Sequence, residues 1–396
     1  MRILFISRWY PYPADNGSKI RVYNLIRELA RTNEIWLASF AEEEITAERL
    51  AGMRALCKRV EVAQYRRFQP NGAQALAGFF ANKPRSVVDT FSDAMKQHVE
   101  RMATETQFDC VVASQIDMAL YPLLVKGVPR ILEEIEISIF AEQARRAQGP
   151  LNKMRKQLMW TKWRTYMRDV LAQYDGCTVV SQPEIAPIQS ALSGYDRIGV
   201  IPNGADLERF TGNFGRPDRD TLVYTGALTY YVNFDAMKFF VAEVLPKVQA
   251  KVPTVKLLMA GRTDGVPIND LPQNPAAIHA GYRKDIRPFV ASGWASVVPE
   301  RLGGGTRIKV LESMALGTPV VSTNWGVQGL ELQNGSDALF TDDPSELAAQ
   351  IVRVLRDPAL RESLRQNARQ TVEAKYDWRV IGRQFEAFID QRLSQR

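Results

Sequence analysis

Short apolar runs alternate along this chain with longer stretches of helical period, and the alternation occurs twice. In the first half the runs fall at residues 3–7, 34–39, 60–63, 109–114, 129–133 and 176–181, and in the second at 221–225, 255–260, 277–280, 295–298 and 319–322. Runs of this length with little polar alternation read as strands buried on both faces. The helical stretches between them supply the crossovers that parallel strands need. The pattern therefore specifies an α/β class with parallel sheets. At 396 residues the chain also exceeds what one hydrophobic core serves, so two doubly wound, Rossmann-like domains are expected. The join is expected within residues 199–215, where Pro202, Asn203 and Gly204 form a turn signature. The expected division is residues 1–198 plus a C-terminal helix at 377–396 that crosses back, and residues 199–376. Open sheets of this kind hold ligands beyond the carboxyl ends of their strands, so the expected site is a cleft between the domains.

A formal charge of +7 suits an anionic ligand or an anionic membrane surface. Nucleic acid is not expected as a partner, because neither a nucleic-acid motif nor a dense lysine tract is present. Cys57, Cys110 and Cys177 are odd in number and widely spaced, so neither a disulfide framework nor a zinc site follows. They point to a reducing, cytoplasmic setting. The apolar run at 2–7 is too short for a signal segment. No run has spanning length, so any membrane contact is expected to be peripheral, at the inner face.

One segment carries most of the chemistry. From Pro299 to Thr323 the sequence reads as a glycine loop, a short helix, a turn and a buried strand. Gly303, Gly304 and Gly305 let the backbone approach a ligand closely. Thr306 is the expected N-cap of the helix. A helix N-terminus offers unpaired N–H groups and a positive dipole end, which suit phosphate. Arg307 and Lys309 add cations at that end, Glu312 can accept hydrogen bonds from hydroxyls, and Gly317 closes the helix. Phosphate donors, cations and a hydroxyl acceptor in one loop fit a sugar nucleotide.

The segment 151–168 holds six basic residues and no acidic one, with Trp160, Trp163 and Tyr166 among them. Leu151, Met154 and Leu158 keep helical spacing. Two readings stand: a helix lying on an anionic membrane, or a core helix with a basic outer face. Asp218-Arg219-Asp220 has an acid–x–acid form, but its position in the expected interdomain linker reads as a solvated turn. No metal ligand set and no cofactor are expected.

Four segments in order carry a family likeness: the glycine loop at Asp15-Asn16-Gly17-Ser18 after the first strand, the 201–206 turn, Leu222–Gly226 opening the second domain, and Leu311–Val321 around Glu312. The chain resembles the two-Rossmann-domain (GT-B) glycosyltransferases of retaining family 4, the glycosyl transferases group 1, and within them a bacterial exopolysaccharide-type branch. The resemblance implies transfer of a sugar, with retention and without a metal, from a nucleoside-diphosphate donor to a glycan or lipid-linked acceptor. It places Glu312 at the ribose hydroxyls, Gly17 near the phosphates from the first domain, and Arg262 and Tyr282 near the base. Two departures stand out. The family's first glutamate is Gly304 here, with Glu300 the nearest acid before it. The cations usual after the first strand of the second domain are missing from 226–235, so Arg307 and Lys309 are expected to hold the diphosphate instead. Where relatives carry a catalytic histidine this chain has Ser114-Gln115; Glu136 is the expected group to orient or deprotonate the acceptor hydroxyl. His98 and His279 are not expected to act. The lost first glutamate and histidine keep open a catalytically silent glycosyltransferase-like binding partner. A nucleotide-sugar epimerase on the same fold is the other alternative, and the shortage of histidines and plain catalytic acids counts against it.

Overall fold

The structure is a computed structural model that describes residues 1–135 and 138–395. The chain divides into two compact units, Met1–Pro202 with Ile381–Arg396, and Asn203–Val380.

In the first unit seven strands form one sheet: β1 (Arg2–Ser7), β2 (Glu34–Ala41), β3 (Arg59–Gln64), β4 (Cys110–Ser114), β5 (Arg130–Glu133), β6 (Gly176–Val179) and β7 (Ile198–Val200). Their order is β3-β2-β1-β4-β5-β6-β7, and every pair is parallel. β1 is central. Ile3 pairs with Ile35 on one side and Cys110 on the other, and Ile3, Leu4, Phe5 and Ile6 have no exposure. Burial on both faces is why the run is continuous rather than alternating. The edge strand β7 escaped the sequence reading because its three residues, Ile198-Gly199-Val200, are too few and too exposed to show a period.

The chain returns to this unit in helix Trp378–Ser394. Two glycines admit it. A Cβ on Gly199 would lie 2.7 Å from the ring of Phe388, and one on Gly382 would lie 2.3 Å from Cβ of Glu28. The second contact sets the terminal helix close against helix Gly17–Leu29.

The second unit carries β8 (Asp218–Thr225), β9 (Lys256–Ala260), β10 (Ala277–Gly281), β11 (Gly293–Val298), β12 (Val320–Ser322) and β13 (Leu339–Phe340), in the parallel order β10-β9-β8-β11-β12-β13. The five expected strands are present; the two-residue β13 is additional. Asp218, Arg219 and Asp220 are not a linker turn. They are the start of β8, with Asp218 and Arg219 exposed and Asp220 half-buried; Asp218 accepts from Thr221 at 3.0 Å and Asp220 from Thr254 at 2.5 Å. Both carboxylates therefore serve local structure. In each sheet the strand order reverses beside the first strand, between β1 and β4 and between β8 and β11. Such reversals leave a crevice at the carboxyl ends of the two strands.

The 151–168 segment lies in helix Pro150–Leu171. Its C-terminal half is a core helix, with Trp163, Tyr166, Met167, Val170 and Leu171 buried. The Leu151, Met154 and Leu158 stripe is not part of that core: the three are 77%, 66% and 54% exposed. Among the described residues, no helix is long and apolar enough to cross a membrane.

Candidate functional site

The strand ends of the second unit meet backbone to backbone. Gly226, just past β8, donates its N–H to the Ala260 carbonyl at 2.9 Å, and Leu228 donates to the Arg262 carbonyl at 2.8 Å. A Cβ on Gly261 would fall 2.0 Å from the Gly226 oxygen, so only glycine allows this approach.

Glu300 follows β11 and is fully buried. Its carboxylate accepts from the ammonium of Lys309, which also donates to the Tyr224 hydroxyl at 2.9 Å and to Asn233 Oδ1 at 3.1 Å. The Tyr224 hydroxyl lies 3.0 Å from Asn233 Oδ1 and 3.2 Å from Glu300 Oε1. Asn233 is held by donating to the Ala227 carbonyl at 2.8 Å. The ammonium sits so close behind the β8 turn that a Cβ on Gly226 would be 2.9 Å from Nζ. A cation therefore stands at the end of β8 after all, delivered from the helix after β11. Burial lowers the Lys309 pKa, and Glu300 opposes that shift. Burial and the Glu300 charge push the Tyr224 hydroxyl well above its ordinary value.

The glycine loop turns through left-handed backbone at Gly303 and Gly305, with φ of 83° and 73°. Arg307 does not reach outward from it. Its guanidinium donates to the carbonyls of Leu302 at 2.8 Å, Gly303 at 2.9 Å and Gly305 at 3.0 Å, and also to that of Gly304. The Gly303 carbonyl takes a second hydrogen bond from Trp325 Nε1 at 2.7 Å. Arg307 thus closes the loop on itself. Thr306 is not the N-cap. The helix spans Ile308–Ala315, with extended Arg307 at the cap position. Thr306 is buried instead, and its hydroxyl has no partner, as is true of Glu300 Oε2 and Arg307 Nε. Buried polar atoms without partners are uncommon and costly; three cluster in this one segment.

The rest of the segment is firmly seated. The Ser313 hydroxyl donates to the Lys309 carbonyl at 2.8 Å and lies 2.9 Å from Ser296 Oγ of β11. Gly317 has φ of 69°, and Thr318 donates back to the Ser313 carbonyl at 2.9 Å, which closes the helix as expected. Glu312 keeps a partly open side chain, yet burial pushes its carboxyl up to about 7, against the pull of Arg209 and Lys309. Arg262 and Tyr282 meet beyond β9 and β10, the guanidinium carbon 5.3 Å from the ring centroid, with Tyr282 56% exposed.

The structure thus brings Gly303, Gly304, Gly305, Thr306, Arg307, Lys309 and Glu312 to the carboxyl end of the same sheet as Arg262 and Tyr282. Gly17 belongs to the first unit. It is the first residue of helix Gly17–Leu29 rather than a loop glycine, behind the cap Asn16, whose side chain accepts from Lys19 at 3.1 Å. Glu136 lies outside the described residues. Tyr224 and Asn233 were missed by sequence reasoning, since neither belongs to a motif and only the fold sets them against Lys309. At the switch point of the first sheet, Gln115 adopts φ of 73° and accepts from Trp9 Nε1 at 3.2 Å. Its amide reaches Glu134 at 3.3 Å and Ser18 at 3.4 Å. Burial raises the nearby Asp117 carboxyl, against the pull of Arg8. Among the described residues, no group of three or more His, Cys, Asp or Glu is placed to hold a metal ion.

Residues 219–357 match the family model described as Glycosyl transferases group 1. The chain is 28% identical over 211 residues to a phosphatidyl-myo-inositol mannosyltransferase of Mycolicibacterium smegmatis, covering 50% of this chain and 52% of that protein. It is 29% identical over 217 residues to the lipopolysaccharide core biosynthesis glycosyltransferase LpsE of Rhizobium meliloti, covering 52% and 61%. The chain thus spans about half the length of the curated relatives it matches. Anabaena Alr3699/HepE, solved in complex with UDP and glucose, superimposes with a TM-score of 0.69 at 15% identity over 99% of this chain and 100% of that one. Sucrose-phosphate synthase from Thermosynechococcus elongatus gives 0.71 at 16% identity over 100% of both chains. With its two parallel Rossmann-like sheets, the chain has the GT-B fold, and the stretch 219–357 in its second unit is similar to the group 1 glycosyl transferases.

Proposed function

We propose that this protein transfers a sugar, with retention and without a metal, from a nucleoside-diphosphate donor to a glycan or lipid-linked acceptor in surface or exopolysaccharide synthesis. The observation that carries the reading is the position of Lys309. Its buried ammonium stands at the switch point of the second sheet, beside a glycine loop that leads into a helix N-terminus. Leaving-group charge on a diphosphate develops where such donors are aimed, and stabilising that charge is the main catalytic task. The Lys309 ammonium and the helix dipole supply the positive charge that a divalent ion supplies elsewhere. Arg307 shapes the loop so that its amides, rather than its own guanidinium, face the phosphates. Glu312, when ionised, accepts from the ribose hydroxyls, and Tyr282 offers a ring face to the base. HepE's complex with UDP and glucose supports a nucleotide-sugar donor, and the named activities of the mannosyltransferase and LpsE support a lipid-linked or surface-glycan acceptor. Glu136 is assigned to the acceptor hydroxyl. The buried free thiols of Cys57, Cys110 and Cys177 suit a reducing cytoplasm.

A second reading has its own observation. Both cations of the loop are already engaged, Arg307 with carbonyls and Lys309 with Glu300, as a binding protein without turnover would allow. A thermal-shift screen with UDP, GDP, ADP and dTDP on wild type and Lys309→Met tests both. A nucleotide at about 100 times its Kd stabilises the fold by roughly 2.7 kcal/mol. A shift from one nucleotide, lost in Lys309→Met, together with slow release of sugar from the matching donor, supports the transferase. A shift without any release favours the silent binder. No shift in folded protein overturns the donor site.

A further inference from the structure

The first unit carries a surface that the donor site does not explain. Phe80 is 95% exposed, Phe79 52% and Leu76 48%. The loop that presents them is not loose. Lys162 of helix Pro150–Leu171 donates to the carbonyls of Gly78 at 3.0 Å, Phe79 at 2.8 Å and Ala81 at 2.9 Å. Arg85 donates to the Ala75 carbonyl at 2.8 Å and lays its guanidinium carbon 3.8 Å from the centroid of the Phe79 ring. The phenyl rings are therefore held outward by fixed hydrogen bonds.

Lys162 also tells what lies next to them. Residues 151, 154, 158 and 162 are three or four apart and share one helix face. The exposed Leu151, Met154 and Leu158 thus continue, one turn after another, from the point where Lys162 grips the aromatic loop. Lys153 and Arg155 are exposed between them, and Lys83 is exposed beyond Phe80. The 151–168 segment contains no acid. Contiguous exposed apolar groups mark an interaction site. Here the helix segment that carries the stripe holds cations and no acid, which suits a layer that is apolar inside and negatively charged at its surface.

We propose that the Phe79–Phe80 loop and the Leu151–Met154–Leu158 stripe seat this protein on an anionic lipid bilayer, with the rings entering the acyl boundary and Lys83, Lys153 and Arg155 meeting the headgroups. The seat lies wholly within the first unit and does not depend on the nucleotide reading of the second.

Co-sedimentation of the full chain with vesicles of phosphatidylcholine alone, or of phosphatidylcholine with phosphatidylglycerol, tests it. The chain partitions onto the anionic vesicles, hardly onto the neutral ones, and less as salt rises. Phe79→Ser with Phe80→Ser weakens partition by about tenfold or more. Lys153→Gln with Arg155→Gln weakens it by roughly tenfold and flattens the salt dependence. Each variant keeps the wild-type far-UV circular dichroism and melting temperature. Failure of the wild type to bind either vesicle overturns the proposal. So does binding that ignores the aromatic substitutions. A dimer in vesicle-free sedimentation that the same substitutions dissociate would make the patch a contact between copies and also overturn it.

Discussion

Lys309 and Glu300 form an ion pair inside the second unit, with side-chain exposures of only 14% and 1%. They stand on opposite sides of the glycine loop, so the pair fastens the helix that starts at Ile308 to the end of β11. Desolvating two such charges is expensive, and their attraction offsets the cost only with further hydrogen bonds. Tyr224 and Asn233 supply these.

Removing one partner alone exposes the cost. Lys309→Met leaves a buried carboxylate uncompensated and should destabilise the protein by about 3–5 kcal/mol. Adding Glu300→Gln should recover much of that loss. Urea denaturation of the four members of this double-mutant cycle checks the coupling. Additive losses would show that the two groups do not act as a pair.

A second buried pair makes the same argument in the first unit. Arg21 and Glu133 have no side-chain exposure and meet at 2.6 Å. Arg21 also donates to the carbonyls of Ile201 at 2.8 Å and Pro202 at 3.0 Å, and Ser114 donates to Glu133 at 2.8 Å. Arg21→Leu should cost about 3–5 kcal/mol, and Arg21→Lys should recover little, because an ammonium cannot reproduce the planar fork. Denaturation midpoints decide; full rescue by lysine would refute the geometric account.

Glu312 should make the protein pH-sensitive. Burial pushes its carboxyl up from the ordinary 4.5 to about 7 in the fold. Between those values the folded state holds a proton that the unfolded state has released. This contribution is therefore present at low pH and lost as pH rises through about 4.5 to 7. Glu312→Gln should flatten that part of the melting-temperature profile. If the ionised carboxylate receives the ribose hydroxyls, nucleotide affinity should rise as pH passes through about 7 in wild type and not in Glu312→Gln. Isothermal titration at pH about 6 and about 8 measures it; equal slopes in both proteins would remove Glu312 from the site.

Gly261→Ala tests the backbone contact at the switch point. Its new Cβ would meet the Gly226 carbonyl oxygen at 2.0 Å and carbon at 2.5 Å. The ends of β8 and β9 must part, at a cost of about 1–3 kcal/mol. Any nucleotide shift should shrink with it. Unchanged stability and binding would mean that the turn yields without effect.

Much of the fold was legible because its signals are local. The buried runs that became β1 and β8 are continuous since parallel strands are covered on both faces. Strands β7 and β13 were not legible, since two or three residues carry no period. In the site, the glycines at 303 and 305 and the helix stop at Gly317 were readable from backbone chemistry alone, and all three have positive φ. The direction of Arg307 and the cap at Thr306 were misread. A sequence states that a guanidinium is present but not that four carbonyls will turn toward it.

The sequence by itself determined where strands alternate with helices, which loop is rich in glycine and which residues can carry charge, because these depend on neighbours in the chain. Only the tertiary structure decided that Lys309 serves the end of β8 from a helix 85 residues beyond Tyr224, and that Leu151, Met154 and Leu158 face outward. Those outcomes depend on which surfaces the packed sheets cover and which groups they bring into contact across the chain, and local spacing holds no record of either.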